Sequence, residues 1–191
     1  MIAQRLIKPA DCVIGACIPT TRREFVRDID DPAKEFVPKL CPVWFKYEEE
    51  VVHPFERVRG PLTAWGVQVV PGVTLKSFGE LFRLRRSVVI LFAHWSDDRV
   101  EFADGLKPID RVIEAVPEEF GGILDLCVCH PEALATGMRV RRPNCLVKRT
   151  VRQAVPKVWL YFYLALFGYL KDTDDFYMAA LEAVTKEFLA A

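Results

Sequence analysis

The chain has 191 residues, 51% of them hydrophobic, which suits one domain with a substantial core. Lys plus Arg and Asp plus Glu number 26 each, so the net charge is zero, and bulk charge gives no reason to expect nucleic acid or an acidic membrane as partner. The longest uncharged apolar run, Val158 to Leu170, has 13 residues against the roughly 20 that a bilayer needs, so it reads as a buried helix of a soluble protein.

Cysteines stand at 12, 17, 41, 127, 129 and 145. A chain this rich in core residues does not need disulfide staples, and no apolar segment follows the two cations of Met1 to Lys8 to make a signal peptide. The reading is free thiols in a reducing cytoplasm. Charge is unevenly spread: Ala133 to Lys171 carries eight basic residues and no acidic one. That stretch reads as a solvated loop and helix face, with a basic rim that meets an acidic partner as the functional alternative.

In chain order, Val13 to Ile18 reads as a first strand and Arg22 to Asp30 as a helix. Pro32 and Pro38 interrupt the next segment, Trp44 to Val52 has no clear pattern, and Pro54 and Gly60-Pro61 mark a further break. From Trp65 the signals sharpen. Gly66 to Val70 reads as a strand, and Pro71-Gly72 as a turn. Thr74 fits as N-cap of a helix from Leu75 to about Leu84. Val88 to Ala93 is a continuous run of β-formers, as in a parallel strand covered on both faces, and it stops at His94.

Val100 to Phe102 is a brief strand closed by Asp104-Gly105. Pro108 opens a helix whose apolar face is Ile109, Val112, Ile113 and Val116, and Pro117 ends it. Gly121-Gly122 precedes a second buried strand, Ile123 to Cys129. Strand, helix, strand in this order predicts a right-handed crossover between parallel strands. After the basic loop, Cys145 to Val147 makes a short strand. Val158 to Leu170 and Phe176 to Leu189 close the chain as helices, the last burying Tyr177, Leu181, Val184 and Phe188.

Ligands in such sheets sit beyond the carboxyl ends of the strands, which here are His94 and Cys129. Thiol catalysis needs a Cys whose proton a nearby base can take, and imidazole is the usual base. His94 and Cys129 are therefore the candidate catalytic pair. Cys127 is the alternative nucleophile; two residues earlier on the same strand it points to the same face, one step deeper. The competing reading makes both thiols small core residues. His94, Cys127, Cys129 and His130 are also metal-ligand types, but Cys-x-Cys-His is not a zinc spacing, so no metal and no cofactor is expected.

Val88 to Trp95, then Val100 to Gly105, then Gly122 to Cys129 resembles the core of the CHAT domains. These belong to the caspase-like clan, with separases, clostripain and gingipains. The likeness spans about residues 66 to 189, including the closing helices. It implies a three-layer α/β sandwich with a mostly parallel caspase-like sheet. The chain would be a single CHAT-like domain, residues 1–191, with 1–64 as its less sharply defined N-terminal part. It implies a cytoplasmic cysteine endopeptidase with His94 as base and Cys129 as nucleophile. Its partners would be a protein or peptide substrate and a sensor or regulatory protein, not a membrane or nucleic acid. Two departures bear on activity: Trp95 stands where the family has Gly after the His, and Pro131 follows Cys129-His130. A non-catalytic binding or scaffold module is the alternative function.

Overall fold

The computed structural model of the protein describes residues 6–149 and 155–190. The chain runs through β1 (Cys12–Ala16), then helices α1 (Arg22–Asp30), α2 (Phe36–Leu40), α3 (Trp44–Tyr47) and α4 (His53–Ala64). Next come β2 (Gln68–Pro71), α5 (Leu75–Leu81) and β3 (Val88–Phe92), then three short strands, β4 (His94–Ser96), β5 (Arg99–Phe102) and β6 (Gly105–Pro108). The rest is α6 (Ile109–Ala115), β7 (Ile123–Cys127), α7 (Glu132–Arg141), β8 (Leu146–Arg149), α8 (Pro156–Asp172) and α9 (Tyr177–Ala190).

Five strands form one all-parallel sheet in the order β2-β1-β3-β7-β8, and β4, β5 and β6 form a separate antiparallel sheet. Alternation along the strands divides the interior into two cores. Ile14, Val88, Ile90, Ile123 and Cys127 face α1, α4, α8 and α9. Val13, Val89, Leu91, Leu124 and Leu126 face α5, α6, α7 and the small sheet. The architecture is an α/β three-layer sandwich. β1 lies between β2 and β3, so the N-terminal part supplies a central strand of the sheet.

Local signals explain some of the boundaries. Thr74 caps α5 by accepting the Ser77 N–H at 3.1 Å, and Asp104 Oδ1 accepts the Leu75 N–H at 3.0 Å. Gly122 carries a steric demand: a Cβ there would lie 2.5 Å from the Ser87 carbonyl oxygen and 2.4 Å from Phe120. Only glycine lets β7 begin this close to the end of the β3 lead-in.

Three expectations need correction. Strand β7 ends at Cys127, not Cys129, because the chain bends away at Val128. The segment read as a basic loop contains α7, which buries Leu134, Ala135 and Met138; its arginines hid the apolar stripe. Pro54 and Gly60-Pro61 do not break the chain. The helix passes from α3 through a π turn (Glu48–Val52) into α4, with Pro54 in its first turn and Pro61 within its last. The helix begun at Leu75 runs to Leu84 as read, α-helical to Leu81 and closing in a 3-10 turn over Phe82–Leu84.

Most described cations of the basic stretch are tied down within the fold. Arg141 pairs with Asp110 at 2.6 Å, Arg149 with Glu132 at 3.2 Å and Lys157 with Glu50 at 3.3 Å. Lys148 lies 2.9 Å from the fully buried Asp125. Arg142 is itself buried and donates to the Val116 carbonyl. Among the described residues, no helix is long and apolar enough to cross a membrane.

Candidate active site

The β3–β7 ladder sets the site. Phe92 pairs with Cys127, and the Ala93 N–H still donates to the Cys127 carbonyl at 3.2 Å. His94 and Cys129 thus each lie two residues past a matched pair on adjacent strands. Beyond that point the chains diverge. His94 opens β4, and Asp97-Asp98, both left-handed at φ 46° and 57°, form the two-residue turn that reverses the chain into β5. After Cys129 the backbone kinks at His130, φ 48°, and Pro131 leads into α7.

His94 and Cys129 border one cavity of about 490 Å³ at the carboxyl edge of the sheet. Its other walls are mostly apolar: Phe36 and Leu40 from α2, Trp95 from β4, Val128 after β7, and Val155 and Trp159 at the start of α8. Both candidate catalytic side chains are half-buried. Cys127 also borders the cavity but is 4% exposed, with the Tyr163 hydroxyl close to its thiol on the α8 side.

The electrostatics leave both groups neutral at ordinary pH. Burial lowers the His94 pKa, the nearby Lys39 ammonium lowers it further, and Glu35 partly offsets this. Burial alone raises the Cys129 thiol. Burial raises Cys127 far more, only partly countered by the Lys148 charge. His94 Nε2 is shielded from solvent and has no hydrogen-bond partner among the described residues, so the imidazole is not bonded to the Cys129 sulfur in this state. A buried unpaired nitrogen is costly.

Helix α2 covers the site because of the strand beside His94. Glu101 on β5 is the cross-strand partner of His94, and its Oε2 accepts the Glu35 and Phe36 N–H groups at 3.0 and 2.9 Å. The buried Lys34 ammonium lies 3.8 Å from Glu101 and 3.4 Å from Asp28, and donates to the Phe102 carbonyl. So held, α2 places the Phe36 ring 5.5 Å from the imidazole. Glu35 bonds both Lys39 and Ser96, and Lys39 lies 3.2 Å from Ser96 Oγ.

The structure therefore brings His94, Cys129 and Cys127 to one cavity. Sequence reasoning missed α2 and the start of α8 as walls. Pro32 and Pro38 obscured α2, and only the aromatic density around Trp159 hinted at a lining role. Among the described residues, no three His, Cys, Asp or Glu side chains group closely enough to hold a metal ion. No protein-family model matches the chain, and no curated protein matches it in sequence.

Proposed function

We propose that the chain is a cysteine peptidase of caspase-like, CHAT-like type, cleaving a protein substrate with Cys129 as nucleophile and His94 as general base and acid. The observation that carries this reading is the single cavity bordered by a partnerless imidazole and a half-buried thiol at adjacent strand ends.

In this mechanism a peptide carbonyl enters the cavity beside Cys129. Imidazole, neutral through burial and Lys39, takes the thiol proton as sulfur attacks the carbonyl carbon. The tetrahedral intermediate collapses when His94 returns that proton to the leaving nitrogen, releasing an amine and leaving a thioester on Cys129. Water then attacks the thioester; His94 takes a proton from it and gives it back to sulfur. The products are a carboxylic acid and the free enzyme, so one water is consumed per bond. Cleavage requires imidazole and sulfur to approach to hydrogen-bonding distance in the complex. The six cysteines are free thiols, consistent with a cytoplasmic setting, where a sensor or regulatory protein would be the natural partner.

One observation favours a second reading, a non-catalytic binding module. The Cys129 thiol is raised in pKa with no hydrogen bond from His94, and Trp95 occupies the position that follows the base. Incubation of the protein with a mixed peptide library separates the two. The peptidase reading expects cleavage that Cys129→Ala and His94→Ala abolish, while Cys127→Ser retains it with lower stability, because a packed position gains a hydroxyl. Absence of cleavage by folded wild-type protein rejects it, and activity that survives Cys129→Ala but not Cys127→Ser reassigns the nucleophile.

A further inference from the structure

We infer that the residue whose carbonyl is attacked is a large apolar one, leucine-like or aromatic, rather than a basic or an acidic residue. This inference rests on the peptidase reading and names the substrate class of the same site.

The argument is one of charge and shape. A basic side chain buried beside Cys129 would need a carboxylate, since an unpaired charge out of water is strongly disfavoured. Among the described residues, none lines the cavity. One wall is Val155, Pro156 and Trp159, and the sequence around them, from Ala133 to Lys171, contains no Asp or Glu at all. Glu35, near the rim, is already engaged by Lys39 and Ser96.

An acidic side chain fares little better. Lys39 is the only Lys or Arg among the described lining residues, and Glu35 already compensates its charge. Phe36, Leu40, Trp95, Val128, Val155 and Trp159 dominate the remaining wall. A cavity near 490 Å³ falls within the roughly 300–1,000 Å³ of sites that bury a small ligand, so one bulky side chain and part of its neighbour fit. The apolar rim is supplied by separate elements, α2 and the start of α8. Both border the same cavity as Cys129, so the apolar surface lies beside the thiol.

The test uses four peptidyl acyloxymethyl ketones that differ only in the residue next to the warhead: Leu, Phe, Asp or Arg. Sulfur displaces the carboxylate leaving group from the methylene carbon, leaving a thioether and a mass shift on the protein. Iodoacetamide reports thiol access independently, and Cys129→Ala identifies the labelled site. The Leu or Phe probe should label Cys129 at least about tenfold faster than the Arg and Asp probes. Leu40→Asp, which puts a carboxylate on the rim, should narrow or reverse the gap between apolar and Arg probes. Equal rates, or a faster Arg or Asp probe, overturn the apolar assignment while leaving the peptidase reading intact. Labelling of Cys129 by iodoacetamide but by none of the four ketones overturns both.

Discussion

His94 stands directly opposite Glu101 across the β4–β5 ladder, and Glu101 caps the helix that lays Phe36 against the imidazole. The residue opposite His94 thus fixes the helix over its imidazole. Glu101 is 3% exposed, and its carboxylate satisfies two backbone N–H groups and faces the buried Lys34 ammonium. Glu101→Ala strands that cation and uncaps α2, and should cost about 3 kcal/mol in urea unfolding. Glu101→Gln keeps an acceptor for the N–H groups and should cost less. Equal stability of Glu101→Ala and wild type would show that α2 is held by other contacts.

The pH behaviour of the site derives from two opposite shifts. Cys129 has its thiol raised, so alkylation by iodoacetamide should keep climbing past pH about 8.5, without the neutral plateau of a thiolate–imidazolium pair. A plateau at neutral pH that His94→Ala removes would show a preformed ion pair instead.

Stability has its own pH signature. The folded His94 pKa lies below its unfolded value of about 6.5, so below that pH the unfolded chain binds a proton that the folded chain refuses. The His94 contribution therefore makes stability fall as pH drops from 6.5 toward the folded pKa. His94→Gln should flatten that part of the curve of unfolding free energy against pH. An unchanged slope would place the acid sensitivity elsewhere.

Gly122→Ala tests the start of β7. Restricting the unfolded chain would favour alanine by about 0.4–1 kcal/mol, but the new Cβ meets the Ser87 carbonyl oxygen, which is anchored by the Ile123 N–H at 2.8 Å. Overpacking of this kind costs about 1–3 kcal/mol, so the clash wins and the thermal midpoint should fall. A rise in midpoint would mean that the strand start yields without cost.

Trp95→Gly separates function from packing. The indole borders the cavity and also packs partly on the α5–α7 core, and glycine inside a strand is unfavourable, so about 2 kcal/mol of stability should be lost. Below the unfolding midpoint, a peptidase should keep equal or higher turnover, since glycine relaxes the backbone after the base. If the mutant instead loses a bound protein partner while neither form cleaves peptide, the binding-module reading gains.

Much of this arrangement was legible in the chain. Val88 to Phe92 and Ile123 to Cys127 are unbroken apolar runs, so burial on both faces of a parallel strand could be read from them, and with it the placement of His94 near Cys129. The small sheet was half visible: β5 carries β-formers, whereas β4 hides behind an Asp97-Asp98 turn with no glycine to announce it. Helix α7 was obscured because Arg139 and Arg141 lie within it and Arg142 at its end, and two of these arginines are held by Asp110 and the Val116 carbonyl, both distant in sequence. The walls of the cavity depend on such long-range contacts. Nothing near Phe36 foretells that Glu101, 65 residues on, accepts its N–H.

The most direct test of the proposed dyad is a crystal structure with a peptide aldehyde ending in leucine. The thiol should add to the aldehyde carbon as a hemithioacetal on Cys129, with a ring nitrogen of His94 within about 3.2 Å of the sulfur or the new oxygen. A hemithioacetal on Cys127, or an imidazole that stays beyond hydrogen-bonding reach of adducted Cys129, would contradict the account.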